Sequence, residues 1–280
     1  MRLGAVSYLN ARPLVLGFER GLHRDRVELS LGPPAALADR MAAGELDVAL
    51  LPVAELARMP ELEICPGLAI GSFGPTLSVL LASRVPLVEI RSVALDPESR
   101  TSNALVRVLF ARAWGGAPRF SVGPRSLETA LAQHDAVVRI GDKALCEPLP
   151  AGVEGHDLGA AWTTRFRLPF VYAVWACRPG TLDRGLYRAL HASYRAGAAQ
   201  LERIAADFEY DGRRETALAS RYLAHHLRYR LGALEVRGLR TFLEEAAACG
   251  AIAAAPALRF ALPRGSACHQ ATAGTTEVRA

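Results

Sequence analysis

Short apolar runs alternate with helix-like segments along the chain, and this alternation restricts the fold more than any other sequence feature. Residues 3–8, 27–31 and 47–51 have the composition of strands, and residues 35–44 have that of a helix that ends at a glycine. Strands separated by helices favour parallel pairing through crossover connections. The pattern therefore predicts a βαβ arrangement within an α/β fold.

A second set of the same kind occupies the middle of the chain. Its strands and helices alternate at 92–95, 104–114, 119–122, 127–133 and 136–140. Two further apolar strands flank this set, at 77–82 and 168–177. The chain after Pro179 is predicted to be mostly helical, over 182–206, 214–230 and 235–248.

Together these elements predict a two-lobed α/β protein, each lobe a mixed, mostly parallel sheet flanked by helices. We place the first lobe at residues 1–85 and 174–280 and the second at 86–173. Residues 263–280 are rich in small and polar side chains, which predicts a flexible tail. Ligands of such folds bind in the cleft, at the carboxyl ends of strands and the N-termini of helices.

The composition excludes several classes of partner. The 280 residues are 51% apolar, so the chain can bury a large core. No uncharged apolar run approaches the length of about 18 residues that indicates a membrane span. The formal net charge is +5, and every basic residue except Lys143 is arginine. Because these arginines alternate with acidic residues and form no basic block, we expect a mild attraction for small anions and no nucleic-acid or membrane partner.

The cysteines and the absent motifs narrow the chemistry further. None of the five cysteines has CxxC spacing, so neither a zinc site nor a disulfide framework is expected: Cys65, Cys146, Cys177, Cys249 and Cys268. The sequence also has no nucleotide-binding glycine motif, no HExxH and no GxSxG. We expect no metal, and we expect free thiols in a reducing compartment. The N-terminal residues lack the pattern of a signal peptide, which favours a cytoplasmic location.

Four polar clusters stand at the ends of predicted strands: SYLN at 7–10, GPTLS at 74–78, SRTSN at 99–103 and GD at 141–142. Each is also typical of a turn or a helix cap. Four of them, spread over both lobes, favour a ligand cleft. The third cluster opens a predicted helix, where hydroxyls and free backbone N–H groups suit a carboxylate. The residues alone therefore predict a two-lobed protein that binds a small anion, and they do not predict a reaction.

Several longer motifs resemble one known family. They are VSYLNARPL at 6–14, GELDVALLPVAEL at 44–56, GPTLSVLLAS at 74–83, DPESRTSNAL at 96–105, IGDKAL at 140–145 and DLGAAW with LPFVYAVW within 157–175. In this order they resemble the chorismate dehydratases of the futalosine route to menaquinone, over roughly residues 1–250. One departure is TTRFRLPF, where the family pattern has Thr-Gly before Leu-Pro-Phe and this chain has Arg167.

The resemblance implies the type II periplasmic-binding-protein fold and the conversion of chorismate to 3-[(1-carboxyvinyl)oxy]benzoate and water, without a cofactor. It implies that Asn10 and Ser78 lie nearest the reacting ring as catalytic residues. The substrate, a small dicarboxylate, is expected to contact Ser7, Tyr8, Thr76, Thr101, Ser102, Asn103, Gly141 and Asp142. Within that set the three residues from 101 to 103 are expected to hold a carboxylate, and the last two to line the opposite lobe.

The cleft motifs contain no obvious histidine, lysine or glutamate to act as a base. We therefore expect the enolpyruvyl carboxylate of the substrate to accept the proton, held by Ser78 or Asn10. Asp142 is the alternative base, and its purely structural interpretation is an N-cap for the helix that begins near Lys143.

Other functions stay open at this point. A non-catalytic binding protein for a small carboxylate would share the fold, and so would the related enzyme that forms dihydroxynaphthoate in the same pathway. A regulatory ligand-sensing domain is a further possibility, although no DNA-binding helix-turn-helix is recognisable. The sequence does not predict the oligomeric state.

Overall fold

The computed structural model describes residues 1–264. The described strands, in chain order, are β1 Arg2–Val6, β2 Glu28–Gly32, β3 Val48–Pro52, β4 Glu63–Ser72, β5 Val79–Ser83, β6 Ser92–Leu95, β7 Arg119–Val122, β8 Ala136–Ile140, β9 Glu154–Asp157, β10 Phe170–Cys177, β11 Glu209–Tyr210, β12 Arg213–Arg214 and β13 Arg228–Leu231.

The α-helices of the same residues are α1 Arg12–Glu19, α2 Pro34–Ala42, α3 Glu55–Arg58, α4 Arg100–Leu109, α5 Leu127–Gln133, α6 Gly141–Cys146, α7 Leu158–Phe166, α8 Arg184–Ala198, α9 Leu201–Ala206, α10 Thr216–Arg221 and α11 Ala233–Ala248. Short 3₁₀ turns lie at Leu9–Ala11 and Leu87–Glu89, and π-helical turns at Phe110–Trp114 and Tyr222–His226. No helix in this part of the chain has the length and apolar character needed to cross a membrane.

Two large sheets organise the molecule. The first has the strand order β13-β4-β10-β3-β1-β2, and the second has the order β7-β6-β8-β5-β9. Both are mixed, as predicted, but parallel pairs are not in the majority. Across both sheets, the described strands form four parallel and five antiparallel pairs. Four of the antiparallel pairs arise because β5 and β10, which carry the chain between the sheets, run against their neighbours, and the fifth joins β13 to β4.

The positions at which the chain changes sheets differ from the predicted lobe boundaries. Strand β5 pairs with β8 and β9 in the second sheet, although residues up to 85 were assigned to the first lobe. Strand β10 belongs to the first sheet from Phe170, four residues before the predicted return at 174. The apolar composition of a strand predicts that it is buried but does not predict which sheet it joins. The chain turns between β4 and β5, where Gly74 and Leu77 have φ of 107° and 63°.

Several elements were not predicted, among them β4, β9 and α7, and one was predicted wrongly. Strand β4 is interrupted in sequence by Pro66-Gly67, which are typical of a turn. The helix predicted over 214–230 ends early, because β13 forms the edge of the first sheet. Its alternating burial, with Tyr229 and Leu231 inside, is the pattern of a half-buried strand.

The first two residues of the predicted flexible tail, Pro263 and Arg264, are held in place by the first lobe. The backbone of Arg264 exchanges hydrogen bonds with Leu182 and Arg184, at 3.2 and 3.0 Å, so Pro263 and Arg264 lie against the first lobe. The rest of the predicted tail, residues 265–280, lies outside the described residues.

Tight helix packing and an aromatic cluster stabilise the first lobe. A Cβ added to Gly197 of α8 would lie 2.1 Å from the carbonyl oxygen of Pro13 in α1, so glycine allows these helices to approach closely. The rings of Trp162 and Phe242 pack edge-on to Phe170 at 5.2 and 4.9 Å. Helix α7 thereby joins α11 and β10, and this contact helps to fix the position of the second sheet relative to the first.

Candidate active site

A cavity lies between the two sheets. Seven of the ten predicted site residues line it: Tyr8, Asn10, Thr76, Ser78, Thr101, Ser102 and Gly141. They come from the loops that follow β1 and β8, the loop before β5 and the start of α4, which the fold brings to one place. Among residues 1–264, those that line the cavity carry no formal charge. Its walls combine hydroxyls and one amide with apolar side chains.

Two polar atoms in this cavity have no hydrogen-bond partner within the described chain. Asn10 Oδ1 and Thr76 Oγ1 are both buried and unpaired. Leaving a buried polar atom unpaired costs roughly 1–3 kcal/mol, and such atoms need an explanation. A polar ligand in the cavity would supply the missing partners.

The loop that carries Thr76 is held firmly. The carboxylate of Asp157, at the N-terminus of α7, accepts hydrogen bonds from the backbone N–H groups of Thr76 and Leu77 at 3.0 and 2.7 Å. The same side chain caps α7 by accepting from Ala160 N–H at 2.9 Å. Asp157 therefore fixes the strained turn at Leu77 that precedes Ser78.

Ser78 is buried at the entrance to β5, and its hydroxyl meets the hydroxyl of Tyr222 at 2.6 Å. The Tyr222 ring comes from the π-helical turn of the first lobe. The backbone carbonyl of Ser78 accepts a hydrogen bond from Gly141 N–H at 2.9 Å. Ser78 is thus in contact with residues of both lobes.

The third predicted cluster forms the first turn of α4, although the helix begins at Arg100 rather than near 104. Ser99 is the N-cap, and its hydroxyl accepts a hydrogen bond from Ser102 N–H at 3.1 Å. The hydroxyl of Thr101 accepts from Ala54 N–H of the first lobe at 3.1 Å, which leaves its own proton free to donate. The partial positive charge of a helix N-terminus favours an anion here.

Asn103 does not reach the cavity. Its side-chain amide bonds both backbone groups of Asp96, accepting from N–H at 3.1 Å and donating to the carbonyl at 2.8 Å. It therefore holds the loop before α4 in shape and does not contact a ligand in this cavity.

Asp142 and Ser7 also lie outside the main cavity. Both line a separate pocket beside Arg12, on the other side of the 7–10 loop. The Asp142 carboxylate accepts the Leu9 N–H at 3.0 and 3.2 Å, which joins the two lobes. Burial raises the pKa of Asp142 to about 6, against the opposing effects of the Leu9 N–H and the Arg12 charge. Asp142 is not the N-cap of α6, since Ile140 occupies that position.

Gly141 of the second lobe packs against the Tyr8 ring of the first lobe at the cavity. Gly141 has φ of 69°, and a Cβ placed on it would lie 2.8–3.0 Å from the Tyr8 ring. The Tyr8 hydroxyl donates to Glu98 of the second lobe at 3.1 Å. Burial first, and then the Glu98 charge, raise the pKa of Tyr8 well above its ordinary value.

Tyr172 and Tyr222 are site residues that sequence reasoning missed. Tyr172 lines the cavity from β10, and its hydroxyl lies 3.0 Å from Ser72 Oγ. Burial, followed by the Asp157 charge, raises the pKa of Tyr172 well above its ordinary value. Both tyrosines lie in segments dominated by apolar or helix-forming residues, so nothing in the local sequence marked their hydroxyls.

The departure at Arg167 lies away from the cavity. Arg167 is exposed and ends α7 with φ of 57° and ψ of 30°. A left-handed residue at a helix end is most often glycine, which explains the Gly of the family pattern. The arginine therefore affects the end of a helix rather than the lining of the cavity.

The sequence of this chain matches one family model over residues 1–248, that of menaquinone biosynthesis. The chain belongs to this family. A chorismate dehydratase of Thermus thermophilus is 31% identical over 263 residues, which cover 86% of this chain and 93% of that relative. The resemblance predicted from the motifs is confirmed.

Solved structures share the fold at low sequence identity. A protein of Archaeoglobus fulgidus superposes with a TM-score of 0.70 and 15% identity, covering 90% of this chain and 98% of its own. The periplasmic aliphatic sulphonate binding protein SsuA of Escherichia coli has a TM-score of 0.64 and 15% identity, covering 100% and 96%. The periplasmic-binding-protein fold predicted from the motifs is confirmed by these likenesses.

Proposed function

We propose that this protein is a chorismate dehydratase, a hydro-lyase that eliminates water from chorismate to give 3-[(1-carboxyvinyl)oxy]benzoate. The observation that carries the proposal is the uncharged cavity, in which Asn10 Oδ1 and Thr76 Oγ1 are buried and unpaired beside Ser78. The family, and a relative with this activity across most of the chain, support it.

The reaction begins at a carbon acid rather than at a strong electrophile. The C3 proton of chorismate is vinylogous to the ring carboxylate, so its removal gives a dienolate. The C4 hydroxyl then leaves and takes up the proton that was removed from C3, which forms the aromatic ring and releases water. The protein must stabilise the charge that develops on the ring carboxylate, and fixed hydrogen-bond donors do so at low reorganisation cost.

The start of α4 is suited to that task. The Thr101 and Ser102 side chains line the cavity at the positive end of this helix. We assign the ring carboxylate to this turn. Neutral donors hold an anion without neutralising it, so the dienolate is stabilised by hydrogen bonds and the helix dipole.

The base is assigned to the substrate itself. None of the described residues that line the cavity is a carboxylate, a histidine or a lysine. The enolpyruvyl carboxylate of chorismate is therefore the proton acceptor in our proposal, oriented by Asn10 and Ser78. Asp142 is a poor alternative, because its carboxylate faces the Leu9 N–H and the separate pocket.

The test incubates the purified chain with chorismate and follows ultraviolet absorbance and product mass. Loss of one water from chorismate, with the absorbance of a benzoate, is the expected result. Unchanged chorismate would contradict the proposal.

Asn10→Ala and Ser78→Ala test the assignment of roles. Each variant is expected to lower kcat/KM by roughly 10²-fold, as for removal of one oriented donor at a reacting centre. Near-wild-type kcat/KM in both variants would show that these residues are not catalytic.

A non-catalytic carboxylate-binding protein is the second candidate. It is favoured by the likeness to the sulphonate-binding protein over the whole chain and by the lack of a protein base in the cavity. Tight binding of chorismate without turnover would support this second candidate.

The cytoplasmic location and the absence of a cofactor stay predictions of the sequence.

A further inference from the structure

One short segment of the first lobe contacts both of the proposed catalytic residues. The Tyr222 hydroxyl lies 2.6 Å from Ser78 Oγ, and the Tyr229 hydroxyl donates to the Asn10 carbonyl oxygen at 2.9 Å. Both tyrosines are buried, and the mechanism above uses neither. Tyr222 is the first residue of the π-helical turn, and Tyr229 lies in β13, the strand that follows.

The two contacts differ in kind. Tyr229 bonds the backbone of its partner, so it locates the turn at residue 10 without acting on the amide side chain. Tyr222 bonds the reactive hydroxyl of Ser78 itself, and that hydroxyl lines the cavity. Only the Tyr222 contact therefore determines where a proton in the cavity points.

The direction of the bond between Tyr222 and Ser78 follows from their acidities. A phenol is a stronger acid than an aliphatic alcohol, and is therefore the better donor. Burial raises the pKa of Tyr222 well above its ordinary value, and the hydrogen bonds of the Ser78 and Asn10 side chains oppose this effect without reversing it, so the phenol keeps its proton. When Tyr222 donates to Ser78 Oγ, the Ser78 proton is left free to donate elsewhere.

We propose that Tyr222 is a positioning residue, whose donated hydrogen bond turns the Ser78 proton into the cavity toward an acceptor oxygen of the substrate. This inference rests on the proposed function, because the acceptor is a chorismate oxygen. A chain of two hydroxyls also polarises the second donor, which strengthens its bond to an anion. The π-helical turn supplies the geometry, and such turns are frequent at functional sites.

The test removes one oxygen. Tyr222→Phe keeps the ring that fills the core and deletes the donor, and Tyr194→Phe makes the same change outside the cavity, beside Tyr229. We expect Tyr222→Phe to lower kcat about tenfold with KM within about twofold, and Tyr194→Phe to leave both unchanged. In the Ser78→Ala background, Tyr222→Phe is expected to lower kcat by less than about twofold, since its effect passes through Ser78.

The outcomes separate the two proposals. If the unaltered chain does not dehydrate chorismate, the proposed function fails. If the unaltered chain dehydrates chorismate, and Tyr222→Phe has the same kcat and KM as Tyr194→Phe, only the role proposed for Tyr222 is wrong. If Tyr222→Phe lowers kcat equally in the unaltered chain and in Ser78→Ala, that role is also wrong. Tyr222 would then act by a route that does not involve the Ser78 hydroxyl.

A measurement on the folded chain covers the case in which Tyr222→Phe does not fold. Protein labelled with [¹³Cζ]tyrosine reports the hydrogen bonding of each phenol, and Ser78→Ala is expected to shift the resonance of Tyr222 and leave that of Tyr194 in place. Resonances that are identical with and without the Ser78 hydroxyl would contradict the bond on which the inference stands.

Discussion

Asn10 and Thr76 show how a single polar atom can reveal a site. Both residue types are common in turns, and the backbone positions of both are fixed by other groups, the Tyr229 hydroxyl for one and Asp157 for the other. A turn alone would therefore not need their side-chain oxygens, which are left buried and unpaired. The cost of those unpaired atoms is recovered when a ligand with donor groups, or a bound water, enters.

Two features favour glycine at position 141, namely its left-handed backbone and the nearby Tyr8 ring. Gly141→Ala forces a Cβ into a left-handed conformation and against the Tyr8 ring. We expect the free energy of unfolding to fall by about 1–2 kcal/mol from the backbone, and KM for chorismate to rise as Tyr8 is displaced.

Gly152→Ala is the matched control for Gly141. Gly152 has φ of 76° but open space where a Cβ would stand. Urea denaturation is expected to show a loss of stability in both variants, larger in Gly141→Ala because its Cβ also meets the Tyr8 ring. Steady-state kinetics are expected to change only in Gly141→Ala. Equal KM values in the two variants would mean that the Tyr8 contact does not shape the cavity.

Helix α7 ends at Arg167, whose left-handed backbone is strained. A helix that stops at a left-handed residue pays about 1 kcal/mol when that residue has a Cβ, as Arg167 does. Glycine relieves this strain, although it also increases the entropy of the unfolded chain.

Arg167→Gly is therefore expected to raise the free energy of unfolding by roughly 0.5 kcal/mol without changing kcat. Arg188→Gly, at an exposed position inside α8, is the control and is expected to lower stability by about 1 kcal/mol. Thermal or urea unfolding of the pair measures both. If Arg167→Gly lowers the free energy of unfolding as much as Arg188→Gly does, the backbone of Arg167 is not strained.

At the scale of the whole molecule, the two lobes are held together by bonds that cross the cleft. Arg100 of α4 reaches Glu55 and Asp39 of the first lobe at 2.8 and 2.9 Å. Arg112 pairs with Glu245 at a second place along the cleft. With the bond from Leu9 N–H to Asp142, these contacts hold the two lobes together around the cavity.

The Asp142 clamp makes stability depend on pH. The pKa of this carboxyl in the folded chain is about 6, above the ordinary value for aspartate, so the folded state binds more protons than the unfolded state between the two values. The favourable contribution of the protonated form is complete below the ordinary pKa and is lost as the pH rises through about 6.

Asp142→Asn removes this titration and keeps an oxygen that accepts the Leu9 N–H. The variant is expected to gain stability relative to the unaltered chain as the pH rises from about 4 to 7, by roughly 1–2 kcal/mol once partial solvent exposure is considered. Urea midpoints measured across this range test the expectation. A difference between the two proteins that does not change with pH would contradict it.

The sequence by itself determined the alternation of strands and helices, the two-lobed fold and most of the polar loops at the cleft, because period, caps and turns are local properties. It also marked Asn10, Ser78 and Thr101 through motifs. Only the tertiary structure decided that Ser7, Asn103 and Asp142 turn away from the cavity, since neighbouring residues in one loop point to opposite sides. It also decided that Tyr222, 144 residues from Ser78 in the chain, meets its hydroxyl, because such a contact depends on the path of the whole chain and leaves no local pattern.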